Sequence, residues 1–196
     1  MNDKYTTWEV FFLLISWIRT KLFYHPARII RFPLDIRGKK YIRWEIGFTT
    51  GRGCRIEAYP IEKKNVVLEI GKNVQINDYV HIAAMQQVKI GDNVLMASKI
   101  YISDCVHGSY SGEEEQSNPD IPPMQRAYVC KPVFIEDNVW IGEFVSILPG
   151  VTIGKGSVIG ANSVVTKNIP PYVIAVGVPA KPIKRYNFET NKWEKI

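Results

Sequence analysis

The chain has 196 residues, of which 46% are hydrophobic, and a formal net charge of +6 at pH 7. This length fits one domain with a small appendage, and the apolar content excludes a disordered chain. The excess of basic residues indicates an anionic partner. Because aromatic and basic residues are not interleaved as in proteins that bind single-stranded nucleic acid, we expect a membrane surface or a phosphorylated ligand and no nucleic acid.

The three cysteines, Cys54, Cys105 and Cys130, bear on the compartment. Their odd number and the lack of CxxC spacing argue against a disulfide framework and against a cysteine-rich metal site. We therefore expect a reducing, cytoplasmic environment and no bound metal.

Residues 5–24 are predicted to form a short N-terminal helix, with Thr6 or Thr7 as N-cap and Pro26 ending it. Apolar side chains cover most of its circumference, so the helix needs a partner surface. A basic stretch overlaps its end and continues to residue 43, where Asp35 is the single acid among residues 19–43.

The sequence leaves two alternatives for the surface that this helix contacts. It could lie in the interface at the inner face of a membrane, with the basic residues facing anionic headgroups. It could equally pack on the rest of its own chain or on a neighbouring subunit. The apolar run at residues 8–18 is shorter than the about twenty residues that span a bilayer.

The middle of the chain has a period of six. An aliphatic residue returns at every sixth position, at Ile135, Ile141, Ile147, Ile153, Ile159 and Val165. This period is neither the 3.6 of a helix nor the alternation of a simple strand. Three six-residue units close one triangular coil of about eighteen residues in a hexapeptide β-helix, and stacked coils bury the repeated side chains. A sandwich of short strands would space its turns irregularly.

The same rhythm starts faintly at Phe48, is clear from Ile70, and stops at His107. Residues 108–130 hold no repeat, and such a long insertion in a compact domain is typically functional or disordered. The sequence therefore predicts three segments: the helix and basic stretch at 1–36, a β-helix at 37–186 with one long loop at 108–130, and a tail at 187–196.

Several segments carry a family resemblance. They are IGDNVLMASKIYISDCVHGSYSG at 90–112, IEDNVWIG at 135–142, PGVTIG at 149–154, IGANSVVTK at 159–167 and AVGVPAK at 175–181. They resemble the hexapeptide-repeat acyltransferases, in the branch of the galactoside and maltose acetyltransferases. Within that branch the chain is most similar to O-acetyltransferases of bacterial surface polysaccharides, including lipopolysaccharide O-antigen.

The resemblance implies an all-β protein, a left-handed parallel β-helix that assembles as a homotrimer with acetyl-CoA in a groove between subunits. It also implies acetyl transfer to a sugar hydroxyl of a surface polysaccharide or of its lipid-linked precursor. Handedness comes from the resemblance alone, because parallel crossovers are otherwise nearly always right-handed.

A sugar hydroxyl needs a base to take its proton as the oxygen attacks, and histidine suits that role. His107 is the last repeat position before the long loop, where the resemblance places the catalytic base. His81 occupies the same phase of its own repeat and is the alternative. Asp104 could orient the imidazole of His107 by accepting from its second nitrogen, a role that a backbone carbonyl could also fill.

The resemblance assigns further residues to the two substrates. Asn77 is expected beside the acceptor sugar and Trp140 as a wall of the site, although a corner asparagine and a core aromatic would look the same in sequence. Along the coenzyme A groove it places Ala161, Thr166 and Lys167, with Lys181 and Lys184 near the nucleotide.

Three other functions are alternatives for a β-helix of this kind. N-acetylation of an amino sugar and a non-catalytic β-helix scaffold stay open. A zinc carbonic anhydrase on the same fold needs three histidine ligands. The chain has three histidines, and one of them, His25, lies outside the repeat. The sequence therefore argues against a zinc carbonic anhydrase.

Overall fold

The computed structural model describes residues 6–61, 66–110, 112 and 116–196, so the acidic run at 113–115 lies outside the described residues. The first element is helix α1 (Thr7–Phe23). Thr6 is its N-cap: the Thr6 hydroxyl accepts from the Glu9 N–H, and the Glu9 carboxylate accepts from the Thr6 N–H at 2.7 Å. This reciprocal capping box fixes the first turn. The predicted helix and its N-cap are confirmed.

In the described residues, twenty-two short strands follow. In chain order they are β1 (Ile29–Ile30), β2 (Leu34–Arg37), β3 (Ile42–Trp44), β4 (Thr49–Thr50), β5 (Cys54–Ala58), β6 (Leu68–Ile70), β7 (Gln75–Ile76), β8 (His81–Ala84), β9 (Val88–Ile90), β10 (Leu95–Met96), β11 (Tyr101–Ser103), β12 (Cys105–His107), β13 (Tyr128–Cys130), β14 (Val133–Ile135), β15 (Trp140–Ile141), β16 (Ser146–Ile147), β17 (Thr152–Ile153), β18 (Val158–Ile159), β19 (Val164–Val165), β20 (Val173–Val176), β21 (Lys181–Asn187) and β22 (Lys192–Lys195). Two 3₁₀ turns lie at Lys39–Tyr41 and Pro123–Gln125.

Successive strands enter three different sheets and return to the first one a coil later. The first sheet has the order β1-β4-β7-β10-β15-β18-β20, the second β2-β5-β8-β11-β16-β19, and the third β3-β6-β9-β14-β17. All neighbours within these three series pair in parallel. The predicted parallel β-helix of hexapeptide repeats is confirmed.

The core of this β-helix is a set of aliphatic stacks. Met96, for example, pairs with Ile76 on one side and with Ile141 on the other, and all three are 0% exposed. Each such side chain gains about 1.5–3 kcal/mol on burial. One coil alone could not bury it, which is why the repeat is needed.

The parallel ladders begin earlier than the sequence rhythm indicated. β1 and β2 already pair with β4 and β5, and Ile30, Ile42 and Phe48 are buried. The six-residue spacing does extend back through these positions, but the basic residues between them obscure it. At the other end, β21 spans residue 186 and pairs with both β20 and β22 in antiparallel fashion. The division of the chain at residues 36 and 186 stays a prediction.

Helix α1 packs on the first coil through its polar side. Ser16 and Thr20 are buried; the Thr20 hydroxyl donates to the Ser16 carbonyl at 2.6 Å and accepts from the Ile30 N–H at 2.8 Å. The apolar side chains instead face outward, and Trp8 is 72% and Leu22 69% exposed. In the described part of the chain, no helix is long and apolar enough to cross a membrane.

Candidate active site

The chain leaves the β-helix after β11 and returns before β14, and we call residues 105–130 the excursion. Its neck is the antiparallel pair β12–β13, in which Cys105 lies opposite Cys130 and His107 opposite Tyr128. The Gly108 N–H donates to the Ala127 carbonyl at 2.8 Å just beyond that pair. His107 therefore stands at the junction between the neck and the rest of the excursion.

Asp104 fixes the corner from which the neck starts. Its carboxylate is 0% exposed and accepts hydrogen bonds from the backbone N–H groups of Met85, Gln86 and Gln87 at 2.9, 2.7 and 2.6 Å. Charge-assisted bonds of this kind are stronger than neutral ones. The expectation that Asp104 contacts the imidazole of His107 is corrected, because its oxygens are taken by the neighbouring coil. Asp104 anchors this corner to the neighbouring coil.

The imidazole of His107 is half-buried and lies against the Tyr128 ring, with 4.5 Å between the ring centroids. Its Nδ1 is buried and has no hydrogen-bond partner among the described residues. With the proton on Nδ1, Nε2 is the ring nitrogen that carries a free lone pair. The backbone on this side is also held, since the Tyr110 hydroxyl donates to the His107 carbonyl at 2.6 Å and Arg126 donates to that hydroxyl at 2.6 Å.

The cysteines at the neck are free thiols. Burial raises the pKa of the Cys105 thiol, and burial together with the facing Cys105 raises that of Cys130. Thiols with raised pKa values are poor nucleophiles. Of the cysteines and the histidine at the neck, the histidine is therefore the side chain suited to accept a proton near pH 7.

His81, the alternative base, is engaged elsewhere. Its Nε2 lies 2.9 Å from the Glu57 carboxylate, and its ring lies 5.4 Å from that of Tyr101. Arg55 donates to the same carboxylate at 2.9 Å. This ion cluster explains His81 as a structural residue, and His25 is exposed beside Pro26.

The expected acceptor residues lie on a different corner from His107. Asn77 follows β7 at the corner between the first and second sheets, and its N–H donates to the Met96 carbonyl at 3.1 Å. Trp140 starts β15 in the first sheet and is 51% exposed, so it is a surface residue and not a core aromatic.

The expected donor residues are divided between the corners. Ala161 follows β18 at the corner of Asn77, three ladder steps away. Thr166 and Lys167 follow β19 at the corner between the second and third sheets. The excursion leaves the second sheet at the same corner, after β11, which is two strands before β19 in that sheet. Lys181 and Lys184 lie on β21. A single chain thus brings His107 to the side of Thr166 and Lys167, and places Asn77 and Ala161 across the second sheet from them.

The corner of Asn77 holds residues that the sequence did not single out. A pocket of about 420 Å³ is lined there by Arg31, Gly51, Arg52, Asn77, Asp78 and Ser98. A Cβ at Gly51 would lie 2.4 Å from the Asn77 carbonyl carbon, so glycine is what lets these two coils approach. Tyr128 was missed as well, because the register of the β12–β13 pair leaves no trace in the sequence.

Comparison with known proteins adds the family. The family model described as "Bacterial transferase hexapeptide (six repeats)" matches residues 132–167. The protein named "Putative lipopolysaccharide biosynthesis O-acetyl transferase WbbJ" of Escherichia coli K12 is 47% identical over 176 residues, which cover 90% of this chain and 88% of that protein. The chain belongs to the hexapeptide-repeat acyltransferases.

The chain is also similar to galactoside acetyltransferases, in sequence and in structure. The galactoside O-acetyltransferase of Escherichia coli K12 is 37% identical over 155 residues, or 79% of this chain and 72% of that one. A solved galactoside acetyltransferase in complex with coenzyme A is 35% identical, covers 76% of this chain and 72% of that chain, and superposes with a TM-score of 0.51. The expected family and the left-handed β-helix are confirmed.

Proposed function

We propose that this acyltransferase moves the acetyl group of acetyl-CoA to a sugar hydroxyl of a bacterial surface polysaccharide or of its lipid-linked precursor. The relative named for lipopolysaccharide biosynthesis and the coenzyme A complex of the galactoside acetyltransferase support the donor and the acceptor class. The observation that carries the proposal is His107, which is half-buried at the neck of the excursion with Nδ1 enclosed.

The reaction is a direct transfer in a ternary complex. Nε2 of His107 takes the hydroxyl proton while the sugar oxygen attacks the thioester carbonyl. The tetrahedral intermediate collapses with release of the coenzyme A thiolate, and the imidazolium gives its proton to that thiolate, which restores neutral His107. General base catalysis of this type contributes about 10²–10⁴-fold. Backbone N–H groups stabilise the oxyanion.

The remaining residues bind the substrates. The Asn77 amide both donates to and accepts from sugar hydroxyls, and the exposed Trp140 ring offers an apolar wall. Ala161, Thr166 and Lys167 border the donor.

Lys181 and Lys184 supply point charges for its phosphates, a task in which lysine can replace arginine. Asn77 and Lys184 are half-buried. The other proposed binding residues are exposed, so a ligand can reach them: Trp140, Ala161, Thr166, Lys167 and Lys181.

The active site is composite. In one chain the corner of Asn77 lies at the beginning of the strands of the second sheet, and the corner of His107 lies at their other end. A second copy that sets its Asn77 corner against the first copy's His107 completes the site, and repeating this head-to-tail contact closes a ring. We therefore propose a homotrimer, which acts in the cytoplasm, where the three free cysteines stay reduced.

The test is acetyl-CoA turnover, read as free thiol, with a panel of sugars and lipid-linked oligosaccharides. We expect His107→Ala to lower kcat by about 10²–10⁴-fold with the KM for acetyl-CoA unchanged, because only proton transfer is lost. His81→Ala is the matched control and should keep its activity.

Equal turnover by the wild type and His107→Ala would remove His107 as the base. The product distinguishes the rival reaction, since an acetyl ester is released by mild alkali and an acetamide is not. Turnover restricted to amino sugars with an alkali-stable product would replace O-acetylation by N-acetylation.

A further inference from the structure

Cys105 and Cys130 face each other across the neck of the excursion. The Lys131 N–H donates to the Asp104 carbonyl at 2.8 Å, which makes the adjoining pair a hydrogen-bonded one. Hydrogen-bonded and non-hydrogen-bonded pairs alternate along an antiparallel ladder, so Cys105 and Cys130 form a non-hydrogen-bonded pair. In such a pair the Cα atoms are about 4.5 Å apart and the side chains are closest. This separation lies within the range of about 4.4–6.8 Å that a disulfide spans.

The two thiols also interact in the reduced protein. Burial raises the pKa of both, and a side-chain hydrogen bond between them contributes to both shifts. Both cysteines are half-buried, so a small oxidant can reach the pair. The third cysteine, Cys54, is different: it is 1% exposed and its thiol donates to the Asn77 carbonyl at 3.1 Å. The geometry therefore singles out one pair and leaves one thiol as an internal reference.

We infer that Cys105 and Cys130 are a modification site, at which a low-molecular-weight disulfide such as glutathione disulfide oxidises the pair to a reversible disulfide across the neck. One thiol loses its proton and attacks glutathione disulfide, which forms a mixed disulfide and releases one glutathione thiolate. The second cysteine, also as thiolate, then attacks the protein sulfur of the mixed disulfide and releases the second glutathione. The pair loses two electrons and two protons, and glutathione disulfide gains them.

The two steps differ in speed. A thiol whose pKa is raised is rarely a thiolate at pH 7, so the first attack is slow. The second attack is intramolecular, because the ladder holds the other cysteine opposite, and reactions between groups positioned in this way have high effective concentrations. The pair therefore stays reduced at a reducing poise, and it closes without a long-lived mixed disulfide when oxidised glutathione accumulates.

The disulfide closes residues 105–130 into a ring at the base of the excursion. Cys105 and His107 are two residues apart on β12, so their side chains lie on the same face of the neck. Cys130 and Tyr128 share that face on β13. The new bond joins strands whose register is already fixed, and it therefore leaves His107 in place. A cross-link of this kind stabilises the fold by constraining the unfolded chain, and a partly exposed disulfide is readily reopened by reductant.

The experiment exposes the full-length protein to glutathione disulfide and counts its thiols before and after reduction. The wild type should fall from three free thiols to one, with a mass loss of two hydrogens and a linked peptide pair that contains Cys105 and Cys130. The equilibrium constant for unfolding should drop about 10²-fold in a denaturant titration, and dithiothreitol should restore the original value. Cys105→Ser and Cys130→Ser should each form no internal disulfide and show no such shift. Cys54→Ser is the matched control and should behave as the wild type does.

Three results overturn the inference: three thiols retained after exposure, glutathione that persists on either cysteine, or a disulfide between two copies on a non-reducing gel. An unchanged unfolding midpoint in the cross-linked protein overturns the stabilising role. The oxidised wild type should keep its kcat within about twofold, and a larger loss that dithiothreitol reverses would mean that the bond displaces His107. The thiol count does not depend on turnover, so it decides the inference even if the acetyltransferase function fails.

Discussion

The β-helix and the excursion hold their residues in place by different means. In the β-helix, strands of two to five residues position each side chain by repetition, and an aliphatic stack such as Ile76, Met96 and Ile141 is sealed from solvent. The described residues of the excursion form no such stack. Its neck depends on the Asp104 carboxylate at one end and on the Tyr110 hydroxyl at the other.

The candidate base belongs to the second kind of structure although it lies beside the first. His107 is three residues beyond Asp104, and its geometry is set by a few polar contacts. Stability and catalysis should therefore respond to different mutations, and three experiments test this difference.

The largest expected effect is on stability, in the β-helix. Met96 and Leu95 are neighbours in β10, with 0% and 41% exposure. Met96→Ala should cost about 2–5 kcal/mol of unfolding free energy, because it opens a cavity in a sealed stack. Leu95→Ala is the matched control and should cost far less. Denaturant titration measures both, and equal losses would mean that the stacks do not carry the stability.

The next effect is at the root of the excursion. Asp104→Asn replaces an oxygen that accepts backbone N–H groups with an amide that cannot, and should cost about 1–3 kcal/mol. Because the neck is displaced, kcat should fall severalfold while the KM for acetyl-CoA stays the same.

The control for this change is Asp120→Asn, an exposed carboxylate of the same excursion. It should leave both stability and kcat unchanged. If Asp104→Asn lowers stability but keeps the full kcat, the corner does not position His107.

The smallest effect concerns Glu57, a second buried carboxylate of the β-helix. Burial alone would raise the pKa of Glu57, but hydrogen bonds from His81 and Arg55 outweigh it and hold the pKa below its usual value. A carboxylate with a lowered folded-state pKa stabilises the fold above its unfolded pKa of about 4.3, and this contribution is lost as the pH falls through the folded-state value.

Glu57→Gln should therefore reduce stability at pH 7 by less than about 1 kcal/mol, and the difference from the wild type should shrink in acid. Denaturant midpoints at pH 7 and below pH 4 measure it. A difference that grows in acid would contradict the assigned direction of the pKa shift.

The sequence predicted the β-helix well because its cause is a period that can be counted. Ile135 to Val165 repeat strictly, and the structure stacks them as expected. The sequence did not predict the first coil, because basic residues lie between Ile30, Ile36 and Ile42 and make their six-residue spacing hard to recognise. The general position of His107 was also accessible, because the rhythm stops there.

The contacts that hold the excursion could not be predicted from the sequence in the same way. Asp104 and His107 are three residues apart, which suggested a contact, but the coil below offers three N–H groups that bind the carboxylate first. Arg52 comes within 5.9 Å of the Phe12 ring only because α1 folds back over the first coil. Spacing along the chain records neither arrangement.

The two ends of the β-helix bear on how the protein avoids growing into filaments. A stack of coils presents open hydrogen-bonding edges at both ends, and such edges invite pairing with another molecule. At one end α1 lies over β1, and at the other the hairpin of β21 and β22 turns the ladder antiparallel. The last strand is exposed and carries Lys192 and Lys195, and charged side chains on an edge strand oppose its extension. A chain cut before β21 would expose the parallel edge of β20, and we expect such an edge to favour pairing with a second molecule.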